Sequence, residues 1–196
     1  NNVVFIADDG DHHEHMKQAE ILANYVDTSI QDLNIKKIYV DAYTKEDQVS
    51  GTTVQNVNRA IKKQFSDGAL IINYTGHGGE FGFGSERFLN IQDILSLNNK
   101  TALPLLMTAT CEFSRFDDPS LKSAGEYMFL QKNGGAVALF TTVRLVFSIP
   151  NFNLNKNFYQ VLSEESNNEN IRIGDLFRKT KIKNNAGTND RNFTLL

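Results

Sequence analysis

Apolar runs and amphipathic stretches alternate along the chain. Val3-Val4-Phe5-Ile6-Ala7, Lys37-Ile38-Tyr39-Val40, Ala69-Leu70-Ile71-Ile72-Asn73-Tyr74, Leu105-Leu106-Met107-Thr108-Ala109-Thr110 and Ala136-Val137-Ala138-Leu139-Phe140 are almost continuously apolar. That is the pattern of strands buried on both faces of a parallel sheet, and it predicts five of them. Between them, residues 15–29, 54–65, 91–97, 124–132, 155–163 and 175–182 read as amphipathic helices. In the second, Val54, Val57, Ile61 and Phe65 recur at spacings of three and four and so share one helical face. Strand and helix in alternation imply right-handed crossovers, hence an α/β fold with a mostly parallel sheet and helices on both faces. The closing run Asn192-Phe193-Thr194-Leu195-Leu196 also reads as a strand.

Loops are marked by Gly and Asn rather than Pro, as in residues 76–84, 98–99 and 133–135. There is no internal repeat and no linker, and the polar residues 163–170 read as a solvated loop. With 196 residues, 40% of them hydrophobic and 22% charged, the chain can bury one sizeable core, so residues 1–196 are expected to form a single domain. It opens on Asn1 almost directly into a strand and stops in another, which reads as a piece of a larger multidomain protein.

Charge and length exclude several function classes. A net charge of −3 and a pI near 5.8 carry no basic footprint for nucleic acid. No stretch approaches the roughly 20 apolar residues that cross a bilayer, and residues 1–11 lack the basic start and apolar run of a signal peptide, so the piece itself is expected to be soluble. The lone cysteine, Cys111, has no intramolecular disulfide partner and leaves a free thiol to explain.

In an open α/β sheet, ligands sit beyond the carboxyl ends of the strands. Two predicted strands end in suggestive residues: one runs into Thr75-Gly76-His77-Gly78-Gly79, the other directly into Cys111-Glu112-Phe113. The short helix between them makes the strands plausible parallel neighbours, with His77 and Cys111 at one sheet edge. A thiol near its ordinary pKa of about 8.5 is mostly protonated at neutral pH, and an imidazole within reach removes its proton and stabilises the thiolate. Gly76, Gly78 and Gly79 let backbone approach a bound peptide, and the amides of Gly78 and Cys111 are candidates to hold an oxyanion, worth about 3 to 4 kcal/mol in a transition state. Each residue also has a plainer reading, Cys111 as an inert buried residue and His77 as a turn residue.

The run Asn73-Tyr74-Thr75-Gly76-His77-Gly78-Gly79, followed 34 positions after the histidine by Cys111 within Thr108 to Pro119, resembles the gingipain family of caspase-like cysteine peptidases, peptidase family C25. Within that family the likeness is to the sortases of the type IX secretion system. Ser123 to Glu126, Asn133 to Ala136, Thr141 to Val146 and Ala7 to Asp11 also look like that subgroup, so the resemblance spans nearly the whole chain. The Gln-Ala-Cys of caspases is absent, so aspartate specificity is not carried over. The resemblance implies a caspase-like fold with Cys111 as nucleophile and His77 as base. It also implies cleavage of C-terminal sorting signals from cargo through a thioester, resolved by water or by an amine acceptor such as one on lipopolysaccharide. It further implies a place at the outer membrane and cell surface of Bacteroidota, with the shuttle protein PorV and other secretion components as partners.

A carboxylate from an earlier strand orients the histidine in that family, and Asp8 or Asp9 is the candidate here, with capping of the helix beginning near Asp11 or His12 the favoured plainer reading. Residues 8, 9 and 11–15 are the richest patch of metal-ligand types in the chain. Contiguous ligands seldom converge and no His-Glu-x-x-His is present, so zinc is disfavoured here and no metal site is assigned, a structural calcium on carboxylates, which the resemblance implies, being the favoured ion if there is one. Arg144 and Arg115 are candidates to bind a substrate carboxylate, or are surface ion-pair partners. Glu80 and Glu112 flank the two catalytic candidates, where Glu112 in particular would meet substrate or face solvent. Two other readings compete. Phosphate cradling by residues 76–84 lacks the Lys-Ser/Thr ending of a nucleotide loop. An inactive recognition or scaffold domain of a secretion complex sits less well with the presence of both His77 and Cys111.

Overall fold

The computed structural model describes residues 1–43, 46–48, 51–53, 55–166, 168, 170–184 and 187–196. Along the chain come β1 (Asn2–Ala7), α1 (Glu14–Ser29), β2 (Asn34–Tyr39), β3 (Glu46–Gln48), β4 (Gly51–Thr53), α2 (Gln55–Asp67) and β5 (Ile71–Thr75). They are followed by β6 (Gly78–Gly79), β7 (Gly82–Phe83), β8 (Leu89–Asn90), α3 (Ile91–Leu95), β9 (Leu105–Ala109) and α4 (Ala124–Leu130). The chain closes with β10 (Ala138–Thr142), α5 (Ser148–Glu164), α6 (Ile173–Asn184), α7 (Thr188–Arg191) and β11 (Phe193–Leu195). The main sheet has the order β11-β10-β9-β5-β1-β2 and is parallel except at β11, which runs antiparallel to β10.

Alternation along the strands explains why both faces are covered. Val4, Ile6, Ile72, Tyr74, Leu106 and Leu139 enter one core with Val57, Ile61 and Phe65 of α2, Ile94 of α3 and Met128 of α4. Val3, Phe5, Ile71, Leu105, Met107 and Phe140 enter the other with Leu22 and Val26 of α1 and Leu154 and Phe158 of α5. The predicted parallel sheet with helices on both faces is thus the observed fold. Val54 lies outside the described residues. Among those described, no helix is long and apolar enough to cross a membrane.

The differences from the sequence reading have local causes. β2 begins at Asn34, ahead of its apolar signal, because it is an edge strand whose first four positions stay at least partly exposed. α5 begins at Ser148 rather than near 155: Pro150 stands in its first turn, where a missing N–H costs no intrahelical bond. The glycine-rich residues 76–84 hold two short strands, β6 and β7, which pair in a small sheet with β8. Strands of two residues show no apolar alternation to read. Gly82 must be glycine there, with φ of 142° and with a Cβ that would meet the Leu89 carbonyl at 2.0 Å.

β1 connects to β2 on one side of itself while β5 lies on the other. The strand order therefore reverses between β1 and β5, the position at which loops diverge and leave a crevice beyond the carboxyl ends.

Candidate active site

Register puts the chemistry at that crevice. Thr75 of β5 is opposite Ala109 of β9 and Ala7 of β1, so Asp8, Gly76-His77 and Thr110-Cys111 leave the same edge of three adjacent strands. The Gly76 amide bonds the Ala109 carbonyl at 3.3 Å. A Cβ on Gly76 would lie 2.6 Å from Asp8 Cγ, so the close approach of the two loops depends on that glycine.

Asp8 is buried and acts on backbone: its carboxylate accepts from the amide of His77 at 2.6 Å and from that of Gly10 at 3.3 Å. Burial pushes its carboxyl above the usual range, opposed by the positive field of His15 and by those two amides. The carboxylate on the His77 ring is a different one. Asp11 Oδ2 stands 3.2 Å from His77 Nε2, whereas Asp8 holds the main chain of that residue and Asp9 is partly buried. Nor does any side chain cap α1, whose N-cap position is His13. Asp11, His12 and His13 all have left-handed φ (52°, 53° and 65°), a costly run for residues with a Cβ, and it folds Asp11 back toward His77. His13 Nδ1 fastens this turn to Asp41 at 2.8 Å.

The His77 ring is half exposed, with Nε2 toward Asp11 and the Cδ2–Nε2 edge against Gly10, where a Cβ would come within 2.8 Å of Cδ2. His15 stands edge-on to it, ring centroids 5.1 Å apart. Cys111 is partly buried, and its thiol donates to the Val146 carbonyl at 3.5 Å. The loop after β10 clasps this turn: Glu112 N–H donates to Arg144 O at 3.4 Å, Ser114 N–H to Thr142 O at 2.9 Å, and Thr142 Oγ1 to Thr110 O at 2.5 Å. Glu112 itself is left-handed, φ 50°. Cys111 and His77 line one cleft of about 200 Å³ with Asp11, Gln18, Phe147 and Asn151. Among the described residues no hydrogen bond joins the thiol to the imidazole. A larger cavity of about 420 Å³, lined by Arg59, Lys62 and Arg87 among others, includes neither.

Gly78 packs against the residue before the cysteine: a Cβ there would meet Thr110 Oγ1 at 2.6 Å. One oxyanion candidate, Gly78, thus lies against the side chain of the residue preceding the other, Cys111. Arg115 is engaged by carboxylates, with Nη1 2.8 Å from Glu80 and 3.3 Å from Glu112 and Nη2 3.6 Å from Asp118, so it ties the loop after His77 to the loop after Cys111. Arg144 is paired with Asp117 and lies half exposed. The sequence reading passed over Asp11 as the partner of the imidazole and passed over the Val146 carbonyl. No spacing in the sequence signals the first, which depends on the left-handed residues 11–13.

Residues 1–196 match the sequence model of peptidase family C25. No curated protein matches. Among solved structures, the chain is similar to the Arg-specific cysteine proteinase gingipain R (RgpB), with 20% identity and a TM-score of 0.74 over 99% of this chain and 45% of that one. It is similar also to the complex of pro- and mature domains of RgpB from Porphyromonas gingivalis, with 19% identity and a TM-score of 0.67 over 93% of this chain and 41% of that one. A third structure, described as a protease, aligns with 17% identity and a TM-score of 0.59 over 79% of this chain and 31% of that one. The chain therefore spans less than half the length of each of these relatives, and at such identities the likeness establishes the fold.

Proposed function

The chain belongs to peptidase family C25, and from that premise we propose that it carries the thiol-peptidase site of a sortase-type enzyme, with Cys111 as nucleophile and His77 as general base. The observation that carries the reading is the pairing of β5 with β9, which delivers His77 and Cys111 from adjacent strand ends into one cleft. With Nε2 engaged by Asp11, Nδ1 is the nitrogen left to take the thiol proton. The thiolate sulfur bonds to the scissile carbonyl carbon, and the oxyanion so formed faces the backbone amides of Gly78 and Cys111. The imidazolium returns its proton to the leaving amine as the C–N bond breaks, leaving a thioester on Cys111. Water or an amine then attacks the thioester and the thiol is regenerated.

The substrate reading is that of a PorU-like sortase at the outer membrane of Bacteroidota, acting on type IX cargo with a C-terminal sorting domain. PorV is its partner and a lipopolysaccharide amine an acceptor. What supports it is the set of flanks around the two catalytic candidates, Asn73 to Gly79 and Thr108 to Pro119, together with Thr141 to Val146. The test is mass spectrometry of a cargo C-terminal domain incubated with the enzyme and a primary amine. A single new carboxyl terminus, free or as the amide of the added amine and absent with Cys111→Ala, supports the reading; intact cargo contradicts it.

A second reading has one observation in its favour. The thiol bonds the Val146 carbonyl and the imidazole pairs with Asp11, so the two groups hold other partners. In that reading the domain is an inactive recognition module of a secretion complex, and Cys111 reacts no faster than a free thiol of equal exposure.

A further inference from the structure

We propose that Asp8, Asp11, His15 and His77 form a binding site for a divalent zinc-type ion at the mouth of the cleft. Asp8, His15 and His77 each offer a ligand atom, all within 4.8 Å of one another. Asp11 Oδ2 adds a fourth, 3.2 Å from Nε2 of both imidazoles, and Asp8 Oδ1 lies 3.8 Å from His15 Nε2. Two ligands bound to zinc at about 2.0 to 2.1 Å in tetrahedral geometry stand about 3.3 Å from each other, close to these separations. The donor set, two imidazole nitrogens and two carboxylate oxygens, suits zinc. It does not suit calcium, which takes six to eight oxygens.

An independent observation points into the same space. His15 is 5% exposed, and its Nε2 makes no hydrogen bond, although Asp11 is near. A buried ring nitrogen that two nearby carboxylates leave without a hydrogen bond is costly, and a metal shared with those carboxylates is one partner it can take. Gln18, a turn later on α1, donates from Nε2 to Glu14 and Ser148. The half-exposed His77 and Asp11 supply the entry path, each with side-chain exposure near one half (50% and 54%). Ligands contiguous in sequence converge here because the left-handed residues 11–13 turn the chain back on itself before α1 begins.

The consequence for catalysis rests on the proposed function. An ion on His77 Nε2 makes the imidazole a poor proton acceptor, so the peptidase is held off while the ion is bound and released by a chelator. The ion itself does not depend on that reading, because the thiol is no part of the site.

Equilibrium dialysis of the folded chain against Zn²⁺, with metal counted per chain, tests this in wild type, Cys111→Ala, His15→Ala and His77→Ala. The expected result is one ion per chain in wild type and in Cys111→Ala, with affinity at least about tenfold weaker in both histidine variants. Asp11→Asn, at an exposed position, gives the same answer should His15→Ala fail to fold. The proposal is overturned if wild type holds no ion, if His15→Ala and Asp11→Asn bind as tightly as wild type, or if Cys111→Ala loses the ion, which would place it on the thiol. Activity read separately on metal-free enzyme keeps failure of the peptidase reading distinct from failure of the site.

Discussion

Asp11 Oδ2 lies 3.2 Å from His77 Nε2, so a carboxylate reaches the imidazole from the left-handed turn after β1. The buried Asp8 fixes the same residue from behind, through its backbone amide. Orientation of His77 is thereby divided between two carboxylates, one on the ring and one on the main chain.

Asp11→Asn should lower kcat/KM on a peptide substrate by about tenfold, with the loss in kcat, because it weakens proton transfer and not binding. The effect stays modest since Asp11 is half exposed. Assays run with a chelator separate this from any effect of metal.

Gly78→Ala should reduce both stability and acylation. Its Cβ would meet Thr110 Oγ1 at 2.6 Å and the Gly82 carbonyl at 2.8 Å, and overpacking of that kind costs about 1 to 3 kcal/mol. Urea unfolding gives the first quantity. The rate of Cys111 modification, measured well below the unfolding midpoint, gives the second.

Tyr159→Phe should destabilise by about 1 to 3 kcal/mol, the cost of leaving a buried donor unpaired. Asn73, within β5 and four positions before His77, donates from Nδ2 to Tyr159 Oη at 2.9 Å and to Asn155 Oδ1 at 2.8 Å, all three side chains being buried. Removal of the hydroxyl leaves one Asn73 N–H bare. A lower denaturation midpoint with an unchanged m-value is the expected signature.

The edge strand should loosen in acid. Glu20 of α1 accepts from Lys37 Nζ at 2.8 Å and from Tyr39 Oη at 2.7 Å, and these bonds hold its carboxyl below the usual value of 4.5. A depressed folded value means that the contribution is full above 4.5 and is lost as pH falls through the lower folded value. Glu20→Gln should therefore flatten the fall in stability below that pH, by a small amount because the pair is exposed. Urea midpoints between pH 7 and pH 3 measure it.

Much of this was legible in the sequence, and for a physical reason. β1, β5, β9 and β10 are buried on both faces and therefore show as unbroken apolar runs, and the two catalytic candidates, His77 and Cys111, come two positions after β5 and β9. β2 was legible only in part because an edge strand need not be apolar. The place of Asp11 beside the His77 ring was not legible because it requires the left-handed residues 11–13, and no periodicity announces three such residues in succession. Arg115 looked like an anion binder from its position behind Cys111. In the fold, Glu80, Glu112 and Asp118 occupy its guanidinium, and Glu80 is distant from it in sequence.

The measurement that bears most directly on the account is the second-order rate at which a peptidyl electrophile modifies Cys111 at neutral pH in metal-free protein, wild type against His77→Ala. The account predicts modification confined to Cys111 and slower by at least about tenfold in the variant, the usual scale of general-base assistance. Equal rates in the two proteins, or no modification of Cys111 in either, would contradict it.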